Sequence, residues 1–165
     1  MNTDAPAPLH TRLEGIAEYI SAIDTVISKA RRRIRIFDRT LEGLGFNSPG
    51  RQELLRGFLR ARRTNHLHIV VHDPAYLNRD CPRMLLLLRL FSHGVSIHQT
   101  HAHMQGVYDP FVIADEEHFV HRFHFDDSRS LLALDDPQET RNLNDRFDEL
   151  WEASYPAVFA TTIGL

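Results

Sequence analysis

Ten of the eleven histidines in this 165-residue chain fall between His66 and His124. Histidine titrates near neutral pH, ligates metals and serves phosphoryl-transfer chemistry, so these residues are the first candidates for function. His66 and His68 form an HxH pair. On a strand that spacing puts both imidazoles on one face ~7 Å apart, within reach of a shared metal ion. His101 and His103 repeat the spacing. If a metal is bound, these four residues are its candidate ligands, and the activity implied is that of a histidine- or metal-dependent phosphoesterase. No carboxylate shares a tight motif with either pair, which favours polar or hydrogen-bonded sheet histidines with no metal and no cofactor.

Further candidates lie on either side. Arg122 and His124 alternate with His121 and Phe123, so the first two share a face and can contact an anion. Arg31 to Arg33 and the group Arg60, Arg62 and Arg63 each follow a helical stretch. Cations at helix carboxyl ends are favourable in themselves, and contact with a phosphate backbone is the sharper alternative, making a weak nucleic-acid binder. Asp38 and Asp73 close strand-like runs, where capping is the simpler role and cation binding the alternative. Cys81 precedes Pro82 at a helix start and reads as a packed thiol more readily than a reactive one.

The elements that must hold these residues follow from periodicity. Leu13, Ile16, Ile20, Ile23, Val26 and Ile27 recur at helical spacing, which predicts an amphipathic helix over 13–29. Ile34 to Phe37 reads as a strand. Ser48 is an N-cap followed by Pro49 in the first turn of a second helix, with Leu54, Leu55, Phe58 and Leu59 on its apolar face. In His66 to His72 the odd positions Leu67, Ile69 and Val71 are apolar and the even ones are mostly imidazole, so a strand there has two unlike faces. Pro82 to Phe91 is a well-covered helix stopped by Gly94. Strands are predicted over 95–99, 108–114 and 118–125, with a short one over 131–134, and Asp136-Pro137 opens a last helix. Residues 155–165 receive no element. The tail, residues 1–12, is expected to be flexible, and 13–165 to form one domain. Alternating helices and strands imply an α/β fold, a layered mixed β-sheet flanked by helices.

Composition narrows the class. The net charge of −3 excludes the strong global basic field of a non-specific nucleic-acid binder but leaves room for a local basic face. One cysteine permits no internal disulfide, which fits a cytoplasmic location. Neither a signal peptide nor a run of ~20 apolar residues is seen, so no membrane partner is expected.

Five stretches carry a resemblance: RIRIFDRTL from Arg33, HIVVHD from His68, GVSIHQT from Gly94, DPFVIAD from Asp109 and RFDELWEAS from Arg146. Together they resemble a single phospholipase D-like domain over roughly residues 15 to 155. They are also similar to a bacterial group of such domains that is sometimes fused to acetyltransferases. The family's active members carry HxKxxxxD followed by a GSxN turn. With the aspartate placed on Asp115, Tyr108 stands for the histidine and Pro110 for the lysine, and Arg122-Phe123-His124-Phe125 stands for the turn. The histidine is the family's nucleophile and the lysine neutralises phosphoryl oxygens. Lys29 is the only lysine in the chain, so no shifted alignment restores the motif. The resemblance therefore implies the fold of a phospholipase D-like half-unit without its catalysis. It predicts a degenerate cleft at Tyr108, Asp115, Arg122 and His124 that binds a phosphate-containing ligand. It also implies a homodimer, or an acetyltransferase-type protein partner.

Overall fold

A computed structural model describes residues 4–160. Eight strands form one mixed sheet in the order β1-β7-β6-β5-β2-β3-β4-β8. They are β1 (Leu9–Leu13), β2 (Arg33–Asp38), β3 (His66–Val71), β4 (Val95–Thr100), β5 (Phe111–Ala114), β6 (His118–Arg122), β7 (Ser130–Leu134) and β8 (Ser154–Val158). β2, β3 and β4 run parallel, and every other pairing is antiparallel. The helices are α1 (Ile16–Lys29), α2 (Pro49–Ala61), α3 (Ala75–Asp80), α4 (Pro82–Leu90) and α5 (Pro137–Glu152). The expected layered α/β architecture is thus the observed one.

Local chemistry sets the helix starts. Ser48 Oγ accepts from Arg51 N at 3.1 Å, with Pro49 at the first helical position. Asp136 Oδ1 accepts from Glu139 N at 3.0 Å in the same way at α5. Two apolar layers cover the sheet. On one face α1, α2 and α4 enclose the larger core, which takes Leu67, Ile69 and Val71 from β3. On the other face α5 closes a smaller core of Phe37, Val70, Phe111, Ile113, Phe119, Phe147 and Leu150. Alternate β3 residues therefore serve opposite layers, as period-2 geometry requires.

Three expectations need correction. Residues 9–12 of the predicted tail belong to β1, which pairs antiparallel with β7 from Leu9↔Leu134 to Leu13↔Ser130. A sheet edge captures them, although His10, Thr11 and Arg12 carry no strand-like apolar pattern. The unassigned segment after residue 154 forms β8 on the opposite edge, where Pro156 is tolerated because an edge strand leaves one side unpaired. The two expected strands 108–114 and 118–125 are shorter, since Tyr108–Pro110 and Phe123–Phe125 leave the ladder. Residues 1–3 of the tail and 161–165 of the expected domain lie outside the described residues.

Candidate functional site

Parallel strands gather their carboxyl ends on one side, the usual location of ligands in sheets of this kind. Asp38 ends β2 there. Its Oδ2 accepts from Thr40 N at 3.1 Å and Leu41 N at 2.6 Å, which turns the chain sharply enough that Leu41 takes φ 71°. Burial pushes the Asp38 carboxyl up, opposed by those backbone N–H groups. Asp73 does the same after β3, accepting from Ala75 N at 2.9 Å. Both aspartates are turn formers.

A hollow of about 200 Å³ opens beside Asp38, lined among others by Arg39, Thr40, Arg122 and Phe125. Arg122, the last residue of β6, donates from Nε to Asp127 O at 2.5 Å, and its guanidinium carbon sits 5.7 Å from the Tyr19 ring centre. Arg39 lies over the Phe125 ring at 5.0 Å, with Asp126 at 3.6 Å. Two guanidinium groups thus share one small concave space, the donor set suited to phosphoryl oxygens. Tyr108, 52% exposed, packs in a tilted arrangement against His124 at 4.8 Å between ring centres at the same end. Next to them His72 is fully engaged. Its Nε2 faces Val107 O at 2.7 Å and its Nδ1 faces Thr100 Oγ1 at 2.7 Å, with Gln105 Nε2 donating to that hydroxyl at 3.0 Å. A carbonyl can only accept, so Nε2 carries a proton and His72 is a structural strut.

Tyr108, Arg122 and His124 are brought to one end, and Asp115 is not. It sits past β5 at the opposite end, in a left-handed turn at φ 56°. Its carboxylate accepts from Arg31 N at 2.9 Å, Arg32 N at 2.8 Å and Arg33 N at 3.0 Å. Asp115 therefore clamps the start of β2 to the β5–β6 turn. The spacing to Tyr108 spans a whole strand, which carries the two residues to opposite ends.

The HxH pairs do not form a metal centre with one another. His66 and His68 lie 4.5 Å apart between ring centres, and His68 stacks on Trp151 at 4.4 Å. Trp151 in turn stacks on His98 at 3.6 Å. Burial lowers the pKa of all three histidines, that of His68 to about 4, where the His66 charge adds to the effect. His101 and His103 are exposed beyond β4, at a 3₁₀ turn and not on a strand, with ring centres 6.1 Å apart. Among the described residues the one group with three ligand atoms mutually within 4.8 Å is Glu117, His118 and Asp135. Asp135 N donates to His118 Nδ1 at 3.0 Å, which leaves the proton of the neutral ring on Nε2 facing Glu117. A ring nitrogen that ligates a metal must be unprotonated, so this reads as a histidine–carboxylate contact.

Three contacts were not foreseen. Arg39 is the partner of Arg122, and only its position next to Asp38 at a strand end pointed to it. Asp109 accepts from Arg146 through both oxygens and from His121 Nε2 at 2.8 Å. Burial alone would raise the Asp109 carboxyl, but hydrogen bonds from His121 and Arg146 outweigh it and hold the group at about 2. Trp151, in the RFDELWEAS stretch, supplies the ring between two histidines.

No helix among the described residues is long and apolar enough to cross a membrane. No curated protein matches the chain. Solved structures do. Nuc from Salmonella typhimurium, a phospholipase D family member, superposes with TM-score 0.63 at 14% identity over 92% of this chain and 99% of that one. NucT from Helicobacter pylori gives 0.63 at 12% identity over 92% and 100%. The archaeal chromatin protein TrmBL2, whose structure shows a novel mode of DNA binding, gives 0.67 at 14% identity over 95% of this chain, which spans 57% of TrmBL2. At such identities the likeness is one of fold, and that fold is the phospholipase D type. Residues 16–159 match the family described as "Domain of unknown function (DUF7931)", and the chain belongs to that family.

Proposed function

We propose that this domain is a catalytically silent phospholipase D-type fold that binds a phosphate-bearing ligand at the carboxyl ends of its parallel strands. The observation that carries the reading is the pair Arg39 and Arg122 around one hollow of about 200 Å³. Silence is supported by Tyr108 and Pro110 at the positions that the family resemblance assigns to nucleophile and cation. A phenol is a weak nucleophile near neutral pH, and proline carries no charge. His124 belongs to the reading as the ring packed against Tyr108 at the same end of the sheet, and Asp115 as a remote clamp.

Two measurements test it together. Incubation with bis-p-nitrophenyl phosphate should yield no nitrophenol. Titration with inorganic pyrophosphate, followed by NMR of the arginine Nε–H groups, should shift Arg39 and Arg122. Arg122→Gln should weaken binding roughly tenfold, the scale of one charge-assisted hydrogen bond. Turnover that Tyr108→Phe abolishes would overturn the silent reading, and unshifted arginine signals would overturn the site. A homodimer, and a protein partner of the acetyltransferase type, belong to the same reading, and sedimentation velocity checks the first. TrmBL2 binds DNA, which puts nucleic acids among the phosphate-bearing ligands worth assaying.

A further inference from the structure

The opposite end of the sheet carries a second, larger opening. A groove of about 840 Å³ runs past the amino ends of β2 and β3 and the β5–β6 turn. Lys29 closes α1, Arg31 and Arg32 form the link into β2, Arg33 begins it, and Arg62 caps α2. These cations come from two sequence clusters about thirty residues apart. They meet because β2 and β3 are parallel neighbours in which Arg33 pairs with His66, so both strands start at one place.

The charges are segregated. Along this end of the sheet, Asp135 after β7 and Glu116 and Glu117 between β5 and β6 form an acidic wall, and the five cations form the other. Arg33 is drawn toward the acidic side, 3.7 Å from Glu116. Of the wall's carboxylates, Glu117 and Asp135 face His118, and none is paired with Lys29, Arg31, Arg32 or Arg62. Asp115, whose carboxylate touches this link, is engaged with its three backbone N–H groups, and the Arg31 and Arg32 side chains are exposed.

We infer that this groove is a binding site for the phosphodiester backbone of a single-stranded nucleic acid, separate from the Arg39–Arg122 hollow. A lone phosphate is gripped by donors converging on one point, as in that hollow. Here the cations are strung along an open groove roughly four times larger, a layout that follows a chain of phosphates. Cations on phosphates carry no sequence information, so recognition by these side chains is of charge. Its strength is limited by the acidic wall and by the net charge of −3.

The test is fluorescence anisotropy of a labelled oligothymidylate against the full chain between about 50 and 200 mM salt. Four contacts predict a log–log salt slope of about −3. Arg31→Gln/Arg32→Gln should reduce that slope by about 1 to 2 and weaken binding roughly tenfold at low salt. The variant keeps the fold because Asp115 holds backbone N–H groups and not these side chains. Glu116→Gln should tighten binding. Arg60→Gln, on α2 outside the groove, should change nothing, and the Arg31→Gln/Arg32→Gln variant should leave the pyrophosphate shifts of Arg39 and Arg122 intact, which separates this site from the hollow. Absence of binding at low salt, an unchanged slope in the double variant, or equal loss in Arg60→Gln would each overturn the proposal.

Discussion

The two faces of the sheet are held by different physics. Under α1, α2 and α4 the contacts are mostly aliphatic, with Ile23, Ile34, Leu55, Leu67 and Ile69 fully buried beside Tyr19, Phe46 and Phe58. Under α5 the phenylalanine core is bordered by the ladder His66–His68–Trp151–His98 and by the knot of Asp109 with His121 and Arg146. Burial of hydrocarbon is insensitive to pH and tolerant of small shifts. Stacked neutral imidazoles and a paired carboxylate depend on protonation and on geometry. The first face therefore supplies bulk stability, and the second fixes where α5 sits and makes that docking sensitive to acid.

The largest effects are expected on the aliphatic side. Ile69→Ala should cost about 2–5 kcal/mol, the range for a truncated buried aliphatic, with the same loss at pH 7 and pH 5. Chemical denaturation at both pH values checks it, and a loss that differs between them would blur the division. Asp109→Ala should cost about 2 kcal/mol. It strands His121 and Arg146, but Arg146 is 41% exposed on its side chain and can turn to water.

Acid sharpens the contrast. His66, His68 and His98 have pKa values below the ordinary 6.5 in the folded chain, so below 6.5 the unfolded chain binds more protons. Stability is therefore full above 6.5 and falls as the pH drops toward about 4, where His68 itself titrates. The loss should reach about 1–2 kcal/mol once partial exposure is allowed for. Thermal unfolding across that range reads it, and a flat profile would contradict the account. In the mildest case, Trp151→Phe should cost about 1 kcal/mol and move the His68 and His98 titrations back toward 6.5 by NMR. Titrations that stay where they were would mean that burial under Trp151 is not what lowers them.

Much of this division was legible in the residues. The alternation Leu67, Ile69, Val71 against His66, His68, His72 announced a strand with two unlike faces. Ser48-Pro49 and Asp136-Pro137 announced helix starts. Short edge strands escaped, because Leu9–Leu13 and Ser154–Val158 are ordered by partners more than a hundred and more than fifty residues distant, and not by patterns of their own. The six residues of α3 were too few to show a helical period.

The histidine count pointed to chemistry, and the fold turned most of those rings into packing: His68 against Trp151, His72 between Thr100 and Val107, His118 beside Asp135. Local spacing could not reveal this, because each partner arrives from another element. Periodicity and capping chemistry are properties of neighbouring residues, so the chain itself dictated its helices, its central strands and their layering. Strand order and direction are long-range choices. They alone decided that Asp115 would part from Tyr108, that Arg39 would meet Arg122, and that Lys29, Arg31 and Arg32 would line one groove with Arg62.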